Sequence, residues 1–128
     1  DQVRAGTARR IIKPGQVFNR IHVADIATVL EAAIDRSPTR ATGHTAIYNV
    51  ADDEATPPED VIEHAARLLG AAVPPAIAFE SADLSPMARS FYAEVKRVRN
   101  DRIKAELGVT LAYPTYREGL AAVMAELC

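Results

Sequence analysis

Cysteine is almost missing from this chain: Cys128 is the single one in 128 residues. A lone thiol closes no intramolecular disulfide and completes no multi-cysteine metal site, so a reducing, cytoplasmic setting is the expectation. Tryptophan is absent and aromatic residues make up only 5%, which leaves the core to aliphatic side chains and to the 24 alanines, good helix formers. No apolar run approaches the roughly 18 residues of a membrane span, and the first fifteen residues lack the hydrophobic region of a signal peptide, so no membrane partner is expected. The formal net charge of -2 supplies no field to recruit nucleic acid. His22, His44 and His64 have neither metal-ligand spacing nor a neighbouring cysteine, which excludes a zinc set. No Gly-x-Ser-x-Gly elbow is present to support a hydrolase. Neither Gly-x-Gly-x-x-Gly nor a phosphate-binding Gly-x-x-x-x-Gly-Lys-Ser/Thr loop occurs, so no dinucleotide is expected to bind to this chain alone.

What is present is ordinary for a globular domain: 48% hydrophobic and 25% charged residues. At this length a compact fold buries roughly 68% of the surface that the unfolded chain exposes. The charge is uneven. Arg4, Arg9, Arg10, Lys13 and Arg20 face only Asp1 in the first twenty residues, and Lys96, Arg97, Arg99, Arg102 and Lys104 cluster around Asp101. Between them, residues 51–60 hold five carboxylates and no base. Such runs are solvated faces or the rim of a site for an anionic ligand. The sequence opens on Asp1 rather than Met, and a fragment or processed product is the expectation.

Pro14-Gly15 marks a turn into an extended stretch, Gln16 to Ile21. Val23, Ile26, Ala27, Leu30, Ala33 and Ile34 then recur at helical spacing, with Asp25 in the first turn, where a carboxylate complements the helix dipole. This predicts a helix over 23–35, ending before Ser37-Pro38. Residues 45–50 (Thr-Ala-Ile-Tyr-Asn-Val) are short, β-prone and nearly continuous in apolar character, as a parallel strand covered on both faces would be. Thr56-Pro57-Pro58-Glu59 signals a helix start, with Thr56 as the cap and Gly70 as the stop after Leu69. Residues 71–79, broken by Pro74-Pro75, suit an extended crossing. Ser85-Pro86 starts a helix to about Val95, Asn100 caps a short one ending at Leu107-Gly108, and the capping box Thr115 to Glu118 opens a last helix to about Leu127. Many helices with two to three short strands make an incomplete α/β protein, because a strand such as 45–50 needs partners.

Tyr92-Ala-Glu-Val-Lys96 has the Tyr-x-x-x-Lys spacing of short-chain dehydrogenases. On one helix face the lysine would lower the phenol pKa for proton transfer; a pair on an amphipathic helix is the other explanation of the same spacing.

The stretch Phe18-Asn-Arg-Ile-His-Val-Ala-Asp-Ile-Ala27 resembles the Ile-His-Val-x-Asp segment of extended short-chain dehydrogenases, the NAD-dependent epimerase/dehydratase class. Ile47-Tyr-Asn-Val-Ala51, the helix from Thr56, Asn100 to Lys104 with Leu107-Gly108, and Tyr113 to Leu120 are similar to that family's later segments, in the same order. The resemblance implies the C-terminal part of a Rossmann-type protein: residues 1–56 would end the nucleotide-binding domain with a late helix and an edge parallel strand, and 57–128 would form the small substrate-binding lobe. In the family the catalytic Tyr-x-x-x-Lys precedes the His-Val-x-Asp segment, so Tyr92 and Lys96 do not match it and no catalytic residue is carried onto this chain. Phe18, Asn19, Arg20 and His22 would line the substrate cleft near the lobe junction, although His22 has the alternative role of capping the helix and orienting Asp25. Nucleotide-sugar epimerases usually hold an arginine where Phe18 stands, which implies that a nucleotide-diphosphate sugar is not the principal substrate. The parent would be an NAD(P)-dependent oxidoreductase, epimerase or dehydratase with NAD or NADP, a small-molecule substrate, an N-terminal cofactor domain completing it, and scope for homo-oligomerisation. The alternatives are a dinucleotide-binding sensor or scaffold without turnover, and a stand-alone interaction domain.

Overall fold

The computed structural model describes residues 1–36 and 43–126. Among them the chain is mostly helical with one two-stranded parallel sheet: β1 (Arg10–Ile12), α1 (Val23–Arg36), α2 (Pro58–Leu68), β2 (Ala76–Ala78), α3 (Pro86–Ser90), α4 (Asp101–Leu107) and α5 (Tyr116–Glu126). The expected helix stop at Ser37-Pro38 and the expected helix end at Leu127 lie outside the described residues. One compact unit gathers Asp1–Phe18, Ala55–Arg97 and Leu120–Cys128, and the other gathers Asn19–Glu54 and Val98–Gly119.

In the first unit, Arg10, Ile11 and Ile12 pair in parallel with Ala76, Ile77 and Ala78. Parallel strands cannot be joined by a tight turn, and α2 lies between these two in sequence and packs on β1. The sequence reading missed β1, three residues whose partner lies 66 positions away, and found β2 only as an extended crossing. Pro57, not Thr56, occupies the cap position of α2 and makes no side-chain cap bond. Thr56 is instead buried in an antiparallel bridge with Phe18, with N–H···O distances of 3.0 and 3.1 Å. Gly70 follows the helix at φ 63°, a left-handed turn that glycine enters without a Cβ penalty.

The expected helix from Ser85 to Val95 stops at Ser90. Ser85 caps it as anticipated, accepting from the Ala88 N–H at 3.2 Å. Beyond the stop, Lys13 Nζ donates to the Tyr92 carbonyl and Gln16 Nε2 donates to the Glu94 carbonyl. These acceptors are thus held by side chains of the N-terminal segment. Tyr92 and Lys96 consequently do not share a helix face, and Lys96 pairs with Glu94 at 2.5 Å.

The second unit has its own core: Val29, Ala32, Ile103, Leu107, Val109 and Leu111, with Ile21, Ala33 and Tyr48 packed against it. The buried face of α1 is therefore Asp25–Val29–Ala32. Of the apolar repeat that announces the helix, Val23, Leu30 and Ile34 are exposed at 73%, 59% and 66%. A helix that is apolar on both sides is built to lie between two layers.

Residues 45–50 correct the sequence reading in the same way. They run without a ladder partner, and Ile47 is 76% exposed. The segment has the composition of a buried strand, but among the described residues it has no neighbouring strand and only one covered side, where Tyr48 packs on the core and Arg102 lies over its ring. Among the described residues no helix is long and apolar enough to cross a membrane.

Candidate functional site

The four residues expected at the substrate cleft divide between the two units, Phe18 in the first and Asn19, Arg20 and His22 in the second. Each is held by bonds that its neighbours dictate.

Phe18 is fixed through its backbone by Thr56 and through its ring by Tyr92, the two rings meeting edge to face at 5.5 Å and 81°. Tyr92 leans in turn on Phe79 at 5.1 Å. Lys13 Nζ and the Arg89 guanidinium lie 5.2 and 4.8 Å from the Phe79 ring centre, close enough for cation–π attraction. Burial, with the charge of Glu59 adding to it, pushes the Tyr92 phenol above its usual range. A tyrosine prepared for proton transfer near neutrality needs the opposite shift. An apolar cavity of about 110 Å³ in this unit is lined by Val3, Ala65, Leu68, Leu69, Leu120 and Met124, among others, and Phe18 is not among its lining residues.

In the second unit, Asn19 Oδ1 accepts from the Val98 N–H at 2.9 Å. His22 precedes the first turn of α1, and its Nδ1 accepts from the Ala24 N–H at 3.2 Å, which is helix capping. The imidazole lies 4.0 Å from the Tyr113 ring centre, and a Cβ on Gly119 would stand 3.4 Å from its Cδ2. The imidazole thus packs against the start of α5 at Gly119. Asp25 is the buried centre: at 1% exposure its two oxygens accept from the Ala112 and Tyr113 N–H groups at 2.8 and 2.9 Å.

Arg20 belongs to a charged network that the sequence did not announce. Its carbonyl accepts from the Asp52 N–H at 2.7 Å. Burial lowers the guanidinium pKa, while Asp52 and Tyr116 act the other way. Burial also lifts the Asp52 carboxyl, against the Glu54 N–H and Arg20. Asp53 differs: burial raises its pKa, but hydrogen bonds from Lys104 (2.5 Å) and Asn100 (2.6 Å) outweigh it and hold the carboxyl below its usual range. Asn100 gives its amide also to the Ala51 carbonyl at 3.0 Å, so its side chain ties 51–53 to α4 instead of capping that helix. The clue available in sequence was the run of five carboxylates in 51–60 opposite the basic run in 96–104; their pairing was not specified by it.

Adjacent carboxylates with opposite shifts predict opposite pH dependences. Asp53 binds its proton less tightly folded than unfolded, so its contribution is present above the ordinary carboxylate pKa of about 3.9 and is lost as pH falls through the folded value. Asp52 binds its proton more tightly when folded, so its contribution is present at low pH and is lost as pH rises through its folded value. Denaturant titrations across pH 3–7 are expected to show that Asp53→Asn flattens the acid-side loss of stability. Asp52→Asn is expected to remove a loss on the neutral side. Parallel profiles for the two variants would contradict both assignments.

No protein-family model and no curated protein matches the chain. Among solved structures it is similar to a conserved protein of unknown function from Silicibacter pomeroyi, 58% identical with a TM-score of 0.89 over 98% of this chain and 44% of that one. It is similar also to the human epimerase family protein SDR39U1 (isoform 2), solved with NADPH, at 18% identity and a TM-score of 0.75 over 97% of this chain and 41% of that one. The chain thus spans less than half the length of either. Its mostly helical architecture with a two-stranded parallel sheet is the fold of part of an epimerase family protein.

Proposed function

We propose that this chain is the C-terminal part of an NAD(P)-dependent oxidoreductase, epimerase or dehydratase, and that its own contribution is substrate binding rather than cofactor binding. The observation that carries this reading is the fold shared with an NADPH-bound epimerase family protein over nearly the whole chain. Two features of the second unit support it. The apolar outer face of α1 and the unpaired stretch 45–50 suit the edge of a larger nucleotide-binding sheet, supplied by the rest of the protein. On this reading the second unit closes the nucleotide-binding domain, and the first is the substrate lobe, with Phe18, Asn19, Arg20 and His22 where the chain passes from one to the other.

When bound, NAD or NADP supplies hydride transfer at a carbon bearing a hydroxyl or carbonyl. The residues present do not fit a dinucleotide: the sequence has no glycine-rich turn and no acidic ribose partner some twenty residues after one. What this chain does is orient the substrate. Asn19 and His22 are themselves oriented by Val98 and Ala24, and Arg20 is the charged group nearest to Phe18 in the chain.

The test is a calorimetric titration of NADPH and NADH. The full-length protein is expected to bind one of them with micromolar or tighter affinity, and the isolated 128-residue chain neither. Micromolar binding by the isolated chain would overturn the division of labour. Absence of binding by the full-length protein would overturn the oxidoreductase reading itself.

A further inference from the structure

Two cations converge on one aromatic ring in the first unit. Lys13 Nζ lies 5.2 Å and the Arg89 guanidinium carbon 4.8 Å from the centre of the Phe79 ring, so the two charges are no more than about 10 Å apart. They come from distant parts of the sequence, Lys13 from the residue after β1 and Arg89 from α3. A ring attracts a cation but offsets only part of its charge, and two like charges near one ring repel each other.

Neither charge is answered within the chain. Elsewhere in this unit Arg10 and Arg67 share Glu63, and Lys96 pairs with Glu94. Lys13 and Arg89 instead meet only backbone: the ammonium donates to the Tyr92 carbonyl and the guanidinium to the Ala82 carbonyl at 3.0 Å, with no further side-chain hydrogen bond or ion pair to the described residues. Glu80 and Asp83 stand beside Phe79 and Ala82 in the sequence and take neither cation. An ammonium carries three donors and a guanidinium five, so most of the donors here are unused.

An apolar wall stands beside them. Phe79 leans on Tyr92 with 5.1 Å between ring centres and 34° between planes, and Phe18 meets Tyr92 edge to face. Lys13, Phe79 and Tyr92 are only partly buried and Arg89 is exposed, so a solute reaches all four from solvent.

The charge balance selects the anion. Glu59 is close enough to Tyr92 for its charge to act on the phenol, and its carboxylate offsets one of the two cations. The single positive charge left suits a monoanion better than a dianion. A carboxylate accepting a charge-assisted bond of about 2.8 Å on each oxygen bridges donors up to about 8 Å apart, a span that two side chains converging on one ring can present.

We propose that Lys13 and Arg89 bind a carboxylate monoanion with a flat apolar body, the carboxylate bridging the two cations and the body packing beside the Phe79–Tyr92 pair. The site lies in the unit read above as the substrate lobe. Its assignment to the substrate rests on that reading, and the binding itself does not.

Benzoate, benzyl alcohol and phenyl phosphate are titrated calorimetrically into the full-length protein at low and high salt, with NADPH titrated separately on the same samples. Saturable benzoate binding is expected, at least about tenfold tighter than that of either analogue and weaker at high salt, because the site is open to screening ions. Arg89→Gln is expected to weaken benzoate by about tenfold, the lower end of what a hydrogen bond to a charged group contributes. Its melting temperature is expected to move by no more than about 3 °C, since a glutamine amide still offers a donor to the Ala82 carbonyl. Lys13→Gln gives the same loss from the other cation and serves if Arg89→Gln fails to fold. Arg4→Gln, at an exposed arginine of the same unit, removes the same net charge and should leave the affinity unchanged. No benzoate binding, binding that survives both site variants, an equal loss in Arg4→Gln, or phenyl phosphate bound as tightly as benzoate would overturn the proposal. NADPH binding without benzoate binding sinks the site and leaves the oxidoreductase reading intact; benzoate binding lost in Arg89→Gln, without NADPH binding, does the reverse.

Discussion

Asp25→Ala is expected to lower the stability of the second unit by about 3–5 kcal/mol, from the loss of two charge-assisted hydrogen bonds worth roughly 1.5–3 kcal/mol each. The carboxylate is 1% exposed, and both of its oxygens are occupied, one by the Ala112 N–H and the other by the Tyr113 N–H. Truncation leaves two partly buried donors without an acceptor. It also removes a negative charge from the first turn of α1, worth a further ~0.3–1 kcal/mol. Asp25→Asn is expected to fall about halfway, since its amide keeps one acceptor and presents an N–H to the other N–H. Amide hydrogen exchange reads the effect at its source. The Ala112 and Tyr113 amides should lose protection in Asp25→Ala before the α4 amides do. A loss below about 1 kcal/mol, or unchanged protection at 112 and 113, would show that water replaces the carboxylate without penalty.

Asp25 also shows how far the sequence could be read. Its place in the first turn of a helix follows from local pattern, and so does its membership of an Ile-His-Val-x-Asp segment. Its partners do not, because they lie 87 and 88 residues further along the chain. The Thr115–Glu118 capping box, by contrast, closes within three residues: the Thr115 N–H and hydroxyl both reach Glu118 Oε2, and Thr115 Oγ1 accepts from the Arg117 N–H. Locality did not suffice everywhere: the caps expected of Thr56 and Asn100 do not form, because Phe18 engages the one and the Ala51 carbonyl and Asp53 the other.

The misreadings have the same physical origin. The helix from Ser85 runs five residues instead of continuing to Val95, and the segment beyond it is tied by Lys13 and Gln16, far upstream, through the Tyr92 and Glu94 carbonyls. Residues 45–50 were read from composition as a doubly covered strand, and among the described residues they have no ladder and are covered on one side only, through Tyr48. The same absence of an outer layer leaves the apolar repeat of α1 facing outward while Val29 and Ala32 face the core. At the candidate site, Phe18, Asn19, Arg20 and His22 are visible through the segment they share. Gln16 carried no signal, since the carbonyl that its amide meets lies 78 positions away at Glu94.

The second large effect is expected from the core of the second unit. Helix α4 has seven residues, below the length at which a helix is stable in water by itself, so packing and not propensity holds it. Ile103 and Leu107, one turn apart, are both 0% exposed and supply that packing. Each truncation to alanine is expected to cost about 2–5 kcal/mol, the transfer free energy of the lost atoms plus the cavity left behind. Leu107→Ala should stand at the upper end. Its carbonyl accepts from Arg36 at 3.1 Å and Gly108 follows in the left-handed conformation, so the backbone around the cavity is tied and collapses poorly. The double variant should depart from the sum of the singles, because the two side chains line one cavity. The damage should also reach the charged network. Asn100 and Lys104, at the start and middle of α4, are the groups that hold the Asp53 carboxyl below its usual range. Leu107→Ala should therefore flatten the acid-side stability profile as Asp53→Asn does, on top of its uniform loss across pH. A variant that lost 3 kcal/mol and kept the acid slope of the parent would show that α4 stays in place around the cavity, and that the link from the core to Asp53 is weaker than the shared helix implies.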